Sequence, residues 1–217
     1  NCRYCFRRHF PYEDHRLSPE DRSQALKALS DDTRINEVIF SGGDPLVAND
    51  RLLSAWAEAL AAIPHIRRLR VHTRLPVVIP QRVSDSLIAW LSGSRLQAVV
   101  VIHVNHPAEL DADTQQALGR LKAAGVTLLN QSVILKGVND NARVLAELSE
   151  RLFECGVLPY YLHAFDPVAG AHHFEVSDDK ARDLVRQLIT VLPGFLVPRL
   201  VREIPGQPGK TPLDLFA

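Results

Sequence analysis

The chain has no methionine, only three cysteines, no charge block and no low-complexity stretch among its 217 residues. Each absence removes a class of protein. Three cysteines cannot build a disulfide framework, so Cys2, Cys5 and Cys155 point to metal, redox or ordinary buried thiols. No apolar run approaches the 18 residues a membrane helix needs, and no N-terminal stretch has the form of a secretory signal. The 25 basic and 25 acidic side chains cancel, which argues against a basic surface for nucleic acid. A cytoplasmic protein that binds neither nucleic acid nor membrane is the expectation. With residue 1 an Asn and no methionine anywhere, the chain is also expected to be a piece of a longer translation product.

What is present is regular. Short β-branched apolar runs occupy residues 36–41 (NEVIFS), 67–73 (RRLRVHT), 97–104 (QAVVVIHV), 127–133 (TLLNQSV) and 158–165 (LPYYLHAF), and their starts lie about 30 residues apart. That interval holds one strand, one helix and two loops. Helical spacing fills the gaps at residues 51–62, 84–91, 113–124 and 141–155, with a further helix at 178–192 before a last apolar run at 195–201. Ser84 and either Asp111 or Asp113 are candidate N-caps, and Gly125 and Gly156 candidate stops. Such alternation predicts a parallel sheet with right-handed crossovers. The near-constant period favours a barrel over a doubly wound sheet, and too few strands are present to close one. The predicted fold is therefore α/β: an incomplete, open parallel β/α barrel, one domain over residues 1–217.

In such folds chemistry gathers at the C-terminal ends of the strands. Each predicted exit carries polar residues: Ser41-Gly42-Gly43-Asp44-Pro45, then His72-Thr73-Arg74, then His103, Asn105 and His106, then Asn130-Gln131-Ser132, then His163 and Asp166. Turn chemistry explains any one of these loops; five at one rim predict a site. Gly42 and Gly43 allow close approach of backbone to a ligand, with Asp44 as an acceptor for a cationic group, and Arg74 is a candidate anion holder. The run Cys2-Arg3-Tyr4-Cys5 is compatible with half a zinc site, a redox pair or part of an iron–sulfur ligand set. Cys155 falls in a helix and reads as a small packing side chain. Residues 206–211 (GQPGKT) look like a phosphate loop but lack its first glycine, since Ile204 stands there. Only five of the 25 basic residues are lysine, and Lys210 in this stiff loop suits an amine that condenses with an aldehyde cofactor.

Together these pieces resemble the lysine 2,3-aminomutase family of radical S-adenosylmethionine enzymes over essentially the whole chain. The likeness rests on CRYCFRR at residues 2–8, FSGGDP at 40–45, TRLP at 73–76, NHP at 105–107, NQSV at 130–133, GVND at 137–140 and GKTP at 209–212. Within the family, RHFPY at 8–12 and YYLH at 160–163 look most like the bacterial branch that makes (R)-β-lysine for elongation factor P. The family signature is C-x-x-x-C-x-x-C. Cys2 and Cys5 match its last two ligands, and the first is expected three positions before Asn1, together with a first barrel strand. The resemblance implies a [4Fe–4S] cluster on these thiolates, S-adenosylmethionine on its open iron, and pyridoxal 5′-phosphate on Lys210, the catalytic lysine. It places Tyr4 beside the adenine, Ser41, Gly42, Gly43 and Asp44 at the methionine end, and His103 and Gln131 on the ribose side. It assigns Arg7 to the substrate α-carboxylate. Asp166 and Glu203 receive the substrate ε-ammonium, Glu203 standing where the family usually has Asp. The implied activity is L-lysine 2,3-aminomutase, an isomerase that turns (S)-α-lysine into (R)-β-lysine by radical 1,2-amino migration. The implied partners are free lysine and, functionally, elongation factor P with its lysylating ligase. Three other readings stand beside it: glutamate 2,3-aminomutase, a non-catalytic pyridoxal-phosphate-binding scaffold lacking one cluster ligand, and a zinc protein using Cys2 and Cys5.

Overall fold

The computed structural model of the chain describes residues 3–5 and 18–216. Cys2, Arg7 and the RHFPY run lie outside the described residues.

Six parallel strands follow one another in chain order: β1 (Glu37–Phe40), β2 (Arg68–His72), β3 (Gln97–Ile102), β4 (Thr127–Val133), β5 (Val157–His163) and β6 (Arg199–Arg202). A two-residue strand, β7 (Thr211–Pro212), then turns back antiparallel on β6. Spatial order equals chain order, so the sheet winds in one direction with no switch point, as a β/α barrel does and a doubly wound sheet does not. β1 and β7 are its two edges, which makes it the open barrel expected from the period.

The outer layer consists of α1 (Pro19–Asp31), α2 (Asp50–Ala61), the single turn α3 (Leu75–Val78), α4 (Asp85–Ser92), α5 (Ala112–Ala123), α6 (Ala142–Glu154) and α7 (Asp178–Val191). Their starts are set by short polar side chains that accept from the free N–H groups of the first turn. Ser84 caps α4 at 3.1 Å and Asp111 caps α5 at 2.8 Å. At the far ends of α5 and α6, Gly125 and Gly156 hold φ of 81° and 77° and stop both helices where expected.

Three elements were not foreseen. α1 carries a full capping box, Ser18 and Asp21 each accepting from the other's backbone N–H at 3.1 and 2.9 Å, and Pro19 opens it. Its face is weakly apolar, only Leu26 and Leu29 reaching the core, which is why helical spacing did not reveal it. α3 is four residues long and β7 two, too short for any periodicity. The apolar run at 195–201 divides into a 3₁₀ turn, Gly194–Leu196, and β6.

Strand alternation divides the side chains between two environments. Along β2, Leu69 and Val71 are buried in the core shared with the helices, which turns Arg68, Arg70 and His72 to the concave face. The larger core cluster lies under β1 to β4, with Leu60, Leu87, Ile102 and Leu118 fully enclosed. A second, around Leu162, Leu184, Leu188 and Leu200, lies under β5 and β6. A third and smaller one, Leu135, Phe165 and Ala171, sits at the mouth beside Tyr4.

One buried amide ties the mouth to this frame. Asn139, 0% exposed, accepts from Leu135 N–H at 2.7 Å and donates to the carbonyls of Asn105 and Val133 at 2.8 and 2.9 Å. Asn139→Ala strands three buried groups, and a loss of about 3 kcal/mol in chemical denaturation is expected. A variant within about 0.5 kcal/mol of the parent would show that the amide is not a structural tie.

Candidate active site

The first strand exit turns sharply at Gly42, whose φ of 124° lies in the region only glycine visits freely. The turn delivers Asp44, which caps a 3₁₀ turn by accepting from Leu46 N–H at 3.0 Å. Its carboxylate also accepts from Thr73 Oγ1 and Arg74 N–H, both at 2.7 Å. Its described partners are a hydroxyl and two amides, and through them Asp44 fastens the β1 exit to the β2 exit.

Arg74 does hold an anion, though one supplied by the chain itself. Nη2 donates to Glu109 Oε2 at 2.7 Å and Nη1 to the Tyr4 hydroxyl oxygen at 2.7 Å. Glu109 Oε1 accepts in turn from the backbone N–H groups of Asn105 and His106 at 2.8 and 3.0 Å. Asn105, 4% exposed, donates from Nδ2 to the Tyr4 oxygen and accepts at Oδ1 from Val133 N–H. Sequence reasoning passed over Glu109. Its one local signal is a capping box with His106, which says nothing about a guanidinium 35 residues away.

The polar run at the β4 exit divides by strand alternation. Asn130 and Ser132 turn away from the mouth and bond each other and the Val104 backbone, while Gln131, 6% exposed, lies between them on the opposite face. Ile102 is in register with Asn130, so His103 and Gln131 come to neighbouring positions on the concave side.

Three histidines line that side from β2, the β3 exit and β5. The His72 and His103 ring centres are 6.3 Å apart, and His163 closes the far edge. Burial, then the charge of Arg74, depresses His103 from 6.5 to about 4, with Asp44 opposing and Lys210 adding to the fall. For His163 burial comes first again, then Lys210, His103 and His72, and its value drops to about 3. Both rings are therefore neutral at physiological pH, and among the described residues His163 Nε2 is buried without a hydrogen-bond partner.

These influences also place Lys210, which acts on His103 at the β3 exit and on His163 and Asp166 at the β5 exit. The β6–β7 hairpin is responsible: Arg202 pairs with Thr211, so Glu203 and Lys210 come face to face and Nζ donates to Glu203 Oε2. Burial pushes Asp166 upward, opposed by Arg202 and Lys210. The structure thus gathers Tyr4, Asp44, Arg74, His103, Gln131, His163, Asp166, Glu203 and Lys210 at one mouth. Ser41 and Gly43 lie on its exposed lip. Cys155 caps α6 and packs on the core, where burial raises its thiol, so it belongs to the frame as expected.

Cys5 is a free, half-buried thiol next to Tyr4, and Lys210 is a half-buried primary amine paired with Glu203. A cysteine sulfur and a primary amine are the donor chemistry that an iron–sulfur cluster and an aldehyde cofactor require.

Comparison with known proteins agrees. A family model described as "Radical SAM superfamily" matches residues 1–148. The L-lysine 2,3-aminomutase of Escherichia coli (strain K12) is 54% identical over 215 residues, 99% of this chain and 63% of that protein. That of Haemophilus influenzae is 53% identical over 97% of this chain and 62% of its own length. The chain thus spans less than two thirds of these curated relatives. Among solved structures, "Native anSMEcpe with bound AdoMet and Cp18Cys peptide" superposes with a TM-score of 0.65 at 16% identity, over 88% of this chain and 55% of that one, a likeness of fold.

The neutral histidines fix how stability responds to acid. Both fold with values below 6.5, so between about 3 and 6.5 the unfolded chain binds more protons. Stability contributed by these rings is complete above about pH 6.5 and is lost as pH falls toward 4 and then 3. Thermal melts from pH 7.5 to 4 are expected to show a falling midpoint, with a shallower slope in the His103→Asn/His163→Asn double variant. An unchanged slope would count against neutral buried rings.

Proposed function

The chain belongs to the radical SAM superfamily, and on that premise we propose that it carries the catalytic core of an L-lysine 2,3-aminomutase, converting (S)-α-lysine to (R)-β-lysine. The observation that carries this reading is the convergence of Lys210 with His103, His163 and Asp166 at the strand ends. A loop amine more than 40 residues from any of them in sequence has no structural need to be there. The near-complete coverage by aminomutase relatives supports the same assignment.

In this reading Cys2 and Cys5 hold a [4Fe–4S] cluster with a third thiolate and Lys210 holds pyridoxal 5′-phosphate. The cluster with S-adenosylmethionine would supply hydrogen-atom abstraction, and the pyridoxal group would carry the migrating nitrogen. The chain's own residues do the positioning. Arg7 clamps the α-carboxylate, for which a planar guanidinium is suited. Asp166 and Glu203 receive the distal ammonium, Asp166 gaining the countercharge its burial calls for. Glu203 reaches one methylene further than an aspartate and touches Lys210 from across the hairpin. Ser41, Gly42, Gly43 and Asp44 border the methionine end of S-adenosylmethionine, His103 and Gln131 its ribose side, and the Tyr4 ring its adenine. The neutral rings of His103 and His163 surround the reacting centre with groups that neither repel a cation nor release a proton at pH 7.

Two carboxylates at the distal end disfavour glutamate as substrate, since like charges at short range repel by several kcal/mol at moderate dielectric. The natural destination of the product is elongation factor P, through a lysylating ligase, in the cytoplasm. No helix among the described residues is long and apolar enough to cross a membrane.

Asp166→Asn is expected to lower kcat/KM for lysine about 100-fold, the scale of one lost charge-assisted contact of about 3 kcal/mol. Undiminished turnover would remove Asp166 from the substrate pocket. Iron and sulfide analysis after anaerobic reconstitution, with an absorbance scan for the Lys210-bound cofactor, tests the assignment as a whole. Zinc without iron would favour the zinc-protein reading, and cofactor absorbance without iron the non-catalytic pyridoxal-phosphate-binding scaffold.

A further inference from the structure

The loop that carries Cys5 is fastened to the barrel on both sides. Arg3 stacks its guanidinium 5.3 Å from the Phe174 ring and approaches His173 Nε2 at 3.3 Å. The Tyr4 ring packs on Leu135, Phe165 and Ala171, while its hydroxyl oxygen passes beyond that apolar patch and accepts from Arg74 Nη1 and Asn105 Nδ2. Each of those donors is itself immobilised. Arg74 is held by Asp44 through its backbone N–H and by Glu109 through Nη2; Asn105 is held by Glu109 through its backbone N–H and by Val133 through Oδ1. The one phenol oxygen is thereby fixed relative to the exits of β1, β2, β3 and β4. Neither packing on an apolar patch nor stacking against a flat ligand calls for a hydroxyl; a phenylalanine does both.

We propose that the Tyr4 hydroxyl is the positioning group of the cysteine loop, locking the adjacent Cys5 to the ends of β2 and β3 before any cluster is assembled. The proposal rests on the reading in which Cys2 and Cys5 are cluster ligands. A loop bound only by its metal would have to lose its conformational freedom at the moment of cluster insertion; a loop already held by a charge-assisted bond has lost it beforehand. Arg74, whose side chain reads in the sequence as a ligand for an external anion, is the strut through which the lock acts.

The test uses the full chain, free of cluster and kept anaerobic. Tyr4→Phe retains the ring and deletes one oxygen. Alkylation of Cys5 by iodoacetamide, followed by peptide mass spectrometry, is expected to run about ten-fold faster in this variant, the factor that loss of one such bond represents. Arg74→Gln is expected to give the same acceleration, and the double variant to be no faster than either single one, the mark of one shared interaction. Glu109→Gln keeps the shape of the acceptor and removes only the countercharge on Arg74. It guards against a folding defect in the other two, and is expected to accelerate alkylation by about two- to three-fold. After reconstitution, the electron paramagnetic resonance signal of the reduced cluster should shift in Tyr4→Phe while the thermal midpoint stays within about 2 °C of the parent. Parental alkylation rates in Tyr4→Phe and Glu109→Gln would overturn the proposal. A parent chain that alkylates as described yet takes up neither iron nor sulfide would overturn the cluster reading and leave the lock standing.

Discussion

Asp44 sits where two strand exits meet, and its carboxylate accepts from the β1 turn, from the Thr73 hydroxyl and from the Arg74 backbone. Most of the mouth depends on that junction. A parallel sheet leaves the ends of its strands to loops that cannot bond one another by ladder pairing, so their relative positions must be set by side chains. Asp44 sets the first two, Arg74 passes the constraint to Glu109, and Glu109 passes it to the backbone of Asn105 and His106. From there Asn105 and Asn139 carry it to the β4 exit. The polar groups in this chain are buried or half-buried, where a satisfied network is rigid and a broken one is costly.

The balance of charge at the mouth follows from the same economy. Arg74 is neutralised by Glu109 and Lys210 by Glu203, so the cations there are matched locally as well as over the whole chain. His103 and His163 are governed by burial instead. Enclosed, and facing Arg74 and Lys210, they stay neutral because a proton would have to be added next to existing positive charge in a poorly solvated space. A mouth built this way presents hydrogen-bonding groups of fixed protonation to whatever binds there, across the range in which free histidine titrates.

Much of the fold was legible in the sequence because parallel strands buried on the helix side must be apolar and β-branched at intervals set by the helix between them. The strand exits were legible for the same reason: once the strands are placed, the polar residues after them fall at one rim. Contacts across the rim were not. That Arg74 meets Glu109 and Tyr4, or that Asn105 reaches Val133, depends on inter-strand register, which no local pattern of residues records. α1 escaped notice because its apolar face is narrow, although Ser18, Pro19 and Asp21 announce its start. β7 escaped because two residues have no period, and with it the reason Lys210 meets Glu203.

The reversal at β7 has a bearing on how the amine is held. The ion pair closes the base of the hairpin loop, and residues 204–209 between Glu203 and Lys210 are exposed. Placement of the amine is therefore decided at the neck of the loop, where β6 and β7 pair. The segment that reverses the direction of the sheet thus turns an edge strand into the support that carries the nitrogen back toward the strand ends.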